Sequence, residues 1–141
     1  VANLKLKQAE TLMDAPVAVV ALALSTDAYI RVKHYSYNYA LLTGNEEVIW
    51  VEIGGKVAGF LTWIRQREGR IWYIALTGVA PWARGKGVFK LLRTTLNKMG
   101  KKDKRCIALT SLIAVSNERA SKRTMSVGSR AVLIGYRYDC K

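Results

Sequence analysis

The stretch "VAPWARGKGVFKLL", Val79–Leu92, sets two cations and two glycines in the four residues Arg84–Gly87, between an apolar run and an amphipathic one. The run before it, "RIWYIALTGV" (Arg70–Val79), is nearly all apolar, as expected of a central strand covered on both faces. The run after it spaces Val88, Leu91, Leu92, Leu96 and Met99 as one face of a helix, with Lys90, Arg93, Asn97 and Lys101 on the opposite side. Gly100 is the expected stop. A strand that ends in a glycine-bearing loop and opens directly into a helix presents free backbone N–H groups, and the helix dipole adds positive charge there. Such a turn is a cradle for an anion, phosphate above all. Gly85 and Gly87 let the backbone come close to it without a Cβ in the way, while Arg84 and Lys86 add charge. The dinucleotide fingerprint G-x-G-x-x-G is excluded because Lys90 stands where its last glycine would be, and no G-x-x-x-x-G-K-[ST] occurs.

Working outward, "NLKLKQ" (Asn3–Gln8) alternates as a first strand. Asp14 and Pro16 supply a carboxylate cap and a fixed φ for a helix start, and two helical segments are expected up to Leu42, ended by Gly44. "EVIWVEI" and "KVAGFLTWI" flank Gly54-Gly55, a hairpin signal. Beyond the basic run "KKDKR" a buried strand, "CIALTSLIAV", leads to Asn117, a fitting N-cap for a short helix through about Val127; "AVLIGYRY" reads as the last strand. Strands alternating with helices, plus a hairpin, predict an α/β (α+β) sheet of mixed direction.

The chain of 141 residues is half apolar with only two prolines, enough for one compact domain over residues 1–141. The longest apolar run, Ala15–Leu24, is ten residues, about half of the ~20 needed to cross a bilayer. No membrane role is expected. The two cysteines, Cys106 and Cys140, form no disulfide framework, and with His34 as the single histidine no metal site is expected. Reduced thiols and a cytoplasmic setting follow. The net charge of +13 is uneven: residues 1–70 hold 8 Lys and Arg against 7 Asp and Glu, and residues 71–141 hold 15 against 3. The second half therefore carries 12 of the 13 net charges. Clustered cations of this kind suit a solvated face, a polyanionic cofactor or a nucleic acid.

"LTGVAPWARGKGVFKLL" resembles the strand, V-x-P, R-G-x-G and helix of the acyl-CoA site in the GNAT superfamily of N-acetyltransferases. The order of the surrounding elements, and Asn117-x-x-Ala120 opening a further helix, extend the resemblance over about Asn3–Tyr138. It implies a mixed, mostly antiparallel central sheet and transfer of an acetyl group from acetyl-CoA to an amine acceptor by direct attack. It implies too that the backbone of Thr77, Gly78 and Val79 pairs with the pantetheine arm. Arg84, Gly85, Lys86, Gly87, Val88 and Phe89 would wrap the pyrophosphate, and Asn117 would reach the pantetheine beside a splay between two parallel strands. The family often forms homodimers.

The chain departs from that pattern at three places. Phe89 replaces the last small residue of R-x-x-G-x-G/A, Thr124 stands where many members carry a tyrosine that protonates the leaving thiolate, and Arg70–Val79 holds no Asp or Glu to serve as base. Thr124 and His34, the latter in the tyrosine-rich "YIRVKHYSYNY" (Tyr29–Tyr39), are the remaining candidates for proton handling. "KHYS" is similar to the phage Mom-type DNA modification proteins. With Trp72, Tyr73 and Trp82 available for stacking, a GNAT-like protein that binds or modifies nucleic acid is the alternative expectation, and a catalytically degenerate scaffold is a third.

Overall fold

A computed structural model describes residues 3–34, 42–111, 118–132 and 135–141 of the chain. Its elements are β1 (Leu4–Ala9), α1 (Val17–His34), β2 (Glu47–Ile53), β3 (Lys56–Gln66), β4 (Ile71–Val79), α2 (Val88–Lys102), β5 (Ala108–Ser111), α3 (Glu118–Ser126), β6 (Arg130–Val132) and β7 (Gly135–Asp139). The strands form one sheet in the order β1-β2-β3-β4-β5-β7-β6. Only β4 and β5 are parallel; the other neighbours are antiparallel. The architecture is the mixed α+β sheet expected from the sequence.

Alternation along the strands sends side chains to two helices on opposite faces. Val48, Trp50 and Phe60 meet Val19 and Ala23 of α1. Ile49, Val51 and Leu61 meet Val88, Leu92 and Leu96 of α2. Each fully buried aliphatic chain of this size stabilises the fold by about 1.5–3 kcal/mol, so burial on the two faces holds the helices to the sheet. The β2–β3 hairpin turns on Gly54 and Gly55, with φ 59° and 79°.

In β4 one residue is out of step. Trp63 pairs with Ile74 and Thr62 with Leu76, which leaves Ala75 opposite no residue of β3. This bulge resets the facing of everything after it. Before it Trp72 and Ile74 join the α2-side core; after it Leu76 joins the α1 side. Gly78 also looks toward α1, so closely that a Cβ there would lie 2.5 Å from Thr26 Oγ1 and 2.7 Å from Phe60.

Several local expectations change. Asp14 does not begin α1: it sits in a short 3-10 turn, Leu12–Asp14, where its carboxylate accepts a hydrogen bond from Thr11 Oγ1 at 2.8 Å. The carbonyl of Pro16 instead accepts the N–H groups of Val19 and Val20. The second helical segment before Leu42 lies outside the described residues. Gly44, expected to end it, donates its N–H to Glu46 Oε1 at 2.8 Å and accepts the Met13 N–H at 2.9 Å. Gly100 does not stop α2, which continues to Lys102. A glycine is needed there because a Cβ would approach Leu109 to 2.7 Å and Cys140 Sγ to 2.9 Å. The expected last strand is two, β6 and β7, paired from Arg130↔Arg137 to Val132↔Gly135.

Asp103 ends α2. Its N–H bonds to the Met99 carbonyl at 3.0 Å, Oδ1 accepts the N–H groups of Arg105 and Cys106 at 2.8 and 3.1 Å, and Oδ2 accepts Arg65 Nη1 at 3.2 Å. The Arg105 N–H, chiefly, holds this carboxyl below the usual carboxylate range, with help from the Cys106 N–H and Arg65 against the opposing effect of burial. Beside it Cys106 and Cys140 are free thiols with sulfurs 3.7 Å apart, and burial first, then the contact with Cys140, pushes Cys106 up to about 12.

Two outcomes follow from this packing. Gly78→Ala should lower stability by about 1–3 kcal/mol through overpacking between β4 and α1, measured by urea unfolding. Asp103→Ala should lose about 1–2 kcal/mol at pH 7. Because the folded carboxyl titrates below the unfolded one, its stabilisation is complete above the unfolded pKa of about 3.9 and fades as the pH falls through the lower folded value. The gap between native and variant in urea midpoint should therefore close in strong acid.

Candidate functional site

β4 ends at Val79 and the chain enters a 3-10 turn, Pro81–Ala83. The turn is pinned to β3 by the Ala80 N–H on the Ala58 carbonyl at 2.8 Å. Gly85 and Gly87 then take φ of 76° and 82°, backbone that other residues adopt only with strain. A Cβ at either position would meet nothing within 4 Å, so the glycines serve the backbone path and leave open space in front of it. Gly87 is the N-cap of α2 and no side chain caps the helix. The first bond closing onto the helix is Leu91 N–H to the Gly87 carbonyl at 3.0 Å. No acceptor among the described residues takes the N–H groups from Gly85 to Lys90. They are the free donors of an anion cradle at a helix's positive end.

Between this turn and α3 lies a cleft of about 330 Å³, with Val79, Arg84 and Gly87 on one wall and Arg123, Ser126 and Val127 on the other. Arg84 and Lys86 are exposed on the turn and Arg119 on α3. The half-buried Arg123 guanidinium is held below its ordinary range by burial, then by the like charges of Arg119 and Arg84. No Asp or Glu lines the cleft among the described residues. The described pairing of β4 with β5 stops at Tyr73↔Thr110, whereas β4 continues on β3 as far as Val79. From Ile74 to Val79, then, β4 has no described strand on its β5 side.

The far wall is held from behind by two polar residues of α2. Arg93 and Asn97, read from the sequence as lying on the helix's outer side, are 2% and 5% exposed. Arg93 Nη2 donates to Ser129 Oγ at 3.1 Å, and Asn97 Nδ2 donates to the Val127 carbonyl at 3.1 Å. The outer face of α2 is thus an interface with the end of α3, whose C-terminal carbonyls suit a cation. Burial pushes Arg93 down to about 10, so it remains charged at neutral pH.

The turn residues Arg84, Gly85, Lys86, Gly87, Val88 and Phe89 come together around the uncapped helix start, and Thr77, Gly78 and Val79 form the end of β4, paired with Leu61, Phe60 and Gly59 of β3. Thr124 is 3% exposed in α3 and is not part of the cleft wall. Asn117 and the side chain of His34 lie outside the described residues. Trp72 and Tyr73 are not available for stacking on a nucleic acid. They are 1% and 9% exposed, and Trp72 stacks on Trp63 at 6.0 Å with Arg65 over its ring at 4.3 Å. Trp82 alone of the three is exposed, at 43%. Arg123 was not singled out in the sequence, where it is one of several cations in "ERASKRTMS"; only the packing of α3 brings it to the cleft.

The uncapped helix start at the end of β4 has the form of an anion-binding turn. The model of the acetyltransferase (GNAT) family matches residues 17–124, and the chain belongs to that family: it moves an acyl group from acyl-CoA to an amine. Its fold is similar to an N-acetyltransferase from Staphylococcus aureus Mu50, at 21% identity and TM-score 0.71 over 99% of this chain and 100% of that one. An IAA acetyltransferase from Bacillus cereus ATCC 14579 is 19% identical, with TM-score 0.64 over 92% and 79%. The N-acetylglutamate synthase of Neisseria gonorrhoeae, solved with coenzyme A and N-acetyl-glutamate, is 18% identical, with TM-score 0.64 over 93% of this chain and 29% of that one. No curated protein sequence matches the chain. No helix among the described residues is long and apolar enough to cross a membrane.

The buried Arg93 has no carboxylate partner among the described residues. Replacing it with an apolar chain of similar volume removes a desolvated charge. Arg93→Met should leave the thermal midpoint unchanged or raise it. Ser129→Ala, which strips that cation of its acceptor, should instead lower stability by about 1–3 kcal/mol, read by chemical denaturation.

Proposed function

We propose that this chain is one acyltransferase domain that transfers the acetyl group of acetyl-CoA to an amine, binding the donor's diphosphate on the amides from Gly85 to Phe89. The observation that carries this reading is the row of helix-start N–H groups with no acceptor among the described residues, flanked by Arg84 and Lys86. A diphosphate supplies the missing acceptors and the compensating charge at once. Thr77, Gly78 and Val79 offer the backbone edge along which the pantetheine arm lies, and Asn117 is the polar group expected at its other side.

With the donor held at the end of β4, the amine nitrogen attacks the thioester carbonyl. The C–N bond forms, the C–S bond breaks, and the thiolate of CoA takes up one proton while the nitrogen loses one. The bulge at Ala75 interrupts the β3–β4 ladder, and backbone N–H groups freed in this way are suited to stabilising the oxyanion that develops. β4 contributes no carboxylate. In-line placement of amine and thioester therefore carries much of the rate enhancement, with His34 and Thr124 as the candidates for proton handling.

Saturating acetyl-CoA, at 100 times its Kd, should stabilise the protein by ~2.7 kcal/mol and raise its thermal midpoint by roughly 5–10 °C. Gly87→Glu, which sets a carboxylate in front of the cradle, should abolish that shift, and labelled acetyl groups should pass from acetyl-CoA to an amine acceptor with the native chain only. An unmoved melting curve for the native chain would reject the reading. Of His34→Gln and Thr124→Ala, the one that removes the proton carrier should reduce kcat by about 100-fold without changing the KM for acetyl-CoA.

A further inference from the structure

The arginines that lie on the sheet and on α1, among them the half-buried Arg31 and Arg137, are paired with carboxylates. Arg65 bonds to Glu47 and Asp103 at 2.7 and 3.2 Å, Arg31 to Asp27 at 3.0 Å, and Arg137 to Asp139 at 2.6 Å. Arg123 is also half-buried, yet it makes no ion pair among the described residues. What it does contact is Phe89, with its guanidinium carbon 5.7 Å from the ring centroid.

This placement has a geometric meaning. Phe89 is the second residue of α2 and lines the cleft together with Gly87 and Val88, while Arg123 belongs to α3 on the opposite wall. A guanidinium resting on an aromatic face keeps its N–H edge free to donate, because the ring occupies only the plane's flat side. Arg84 comes from the turn and Arg119 from α3, near enough that both depress the Arg123 ionisation. Two guanidinium groups, those of Arg84 and Arg123, line one cleft with no described carboxylate between them. Such a cluster is stable only with an anion or with water, and the free amides aim at the same space.

We propose that Arg123 is the second jaw of the diphosphate site: held on the ring of Phe89, it donates across the cleft to the diphosphate of bound acyl-CoA, opposite the amides of the Gly85–Phe89 turn. The proposal rests on the acyl-CoA reading of that turn and adds a ligand from a different element. The donor is then gripped between two helices, and its affinity depends on how α3 docks through Arg93 and Asn97. Phe89 becomes a support for the cation as well as part of the helix start.

The test is calorimetric titration of the native chain and of Arg123→Leu, Arg123→Gln, Phe89→Ala and Gly87→Glu with CoA and with dephospho-CoA, which keeps the diphosphate and lacks the 3′-phosphate. Circular dichroism checks that each variant is folded, and Arg123→Gln, of similar length, carries the test where Arg123→Leu is not. Loss of the guanidinium should weaken CoA about 10- to 100-fold, equally for dephospho-CoA, and should flatten the salt dependence of binding. Phe89→Ala should weaken both ligands about 3-fold. If Gly87→Glu abolishes binding while both Arg123 variants bind CoA as the native chain does, the turn is the donor site and this proposal alone is wrong. If the Arg123 effect vanishes with dephospho-CoA, the residue serves the 3′-phosphate and the proposal is likewise overturned. A native chain that does not bind CoA, or a Gly87→Glu variant that binds it normally, would overturn the acyl-CoA reading itself.

Discussion

A helix that begins without a cap leaves backbone donors facing open space, and the whole site is arranged around that condition at Gly85–Lys90. Donors without a described acceptor are tolerable at such a helix start because solvent, or an anion, can meet them. Rigidity comes from around them: the Ala80 N–H is fixed to β3, Ala83 is buried beneath the turn, and Val88, Leu92 and Leu96 anchor α2 in the core. A cradle made of backbone on such a frame is positioned before any ligand arrives.

A second feature lies along β4, whose described pairing with β5 runs to Tyr73↔Thr110 and whose remaining residues lead directly to the cradle. The bulge at Ala75 lies along the same stretch, where it turns Leu76 and Gly78 toward α1. One strand thereby faces the α2-side core in its first half and turns toward α1 in its second.

Electrostatics follow the same division. On the sheet and at the α2 terminus, carboxylates and arginines neutralise one another: Glu47 and Asp103 with Arg65, Asp139 with Arg130 and Arg137. At the cleft the cations are left without such partners among the described residues, so the local potential there is positive. Arg93 is the exception inside the protein, a cation set against the C-terminal end of α3. It joins the two helices that form the walls.

Much of this was legible in the sequence. The glycine turn, the apolar strand before it and the helix after it have signals confined to neighbouring residues, since φ preference and side-chain periodicity are local properties. The same holds for the Gly54-Gly55 hairpin and the cradle residues Arg84–Phe89. The misread positions were those whose roles depend on what packs against them. Gly100 resembles a helix stop until β5 and Cys140 are found against it. Arg93 and Asn97 have the chemistry of a solvated face and are buried only because α3 returns to cover them, and Trp72 stacks on Trp63 rather than awaiting a base. Arg123 is one cation among several in its helix. The sequence alone determined where the backbone would present donors to an anion, whereas tertiary structure decided which side chains share that space, because contacts between residues 30 or more positions apart exist only once helices and strands have packed.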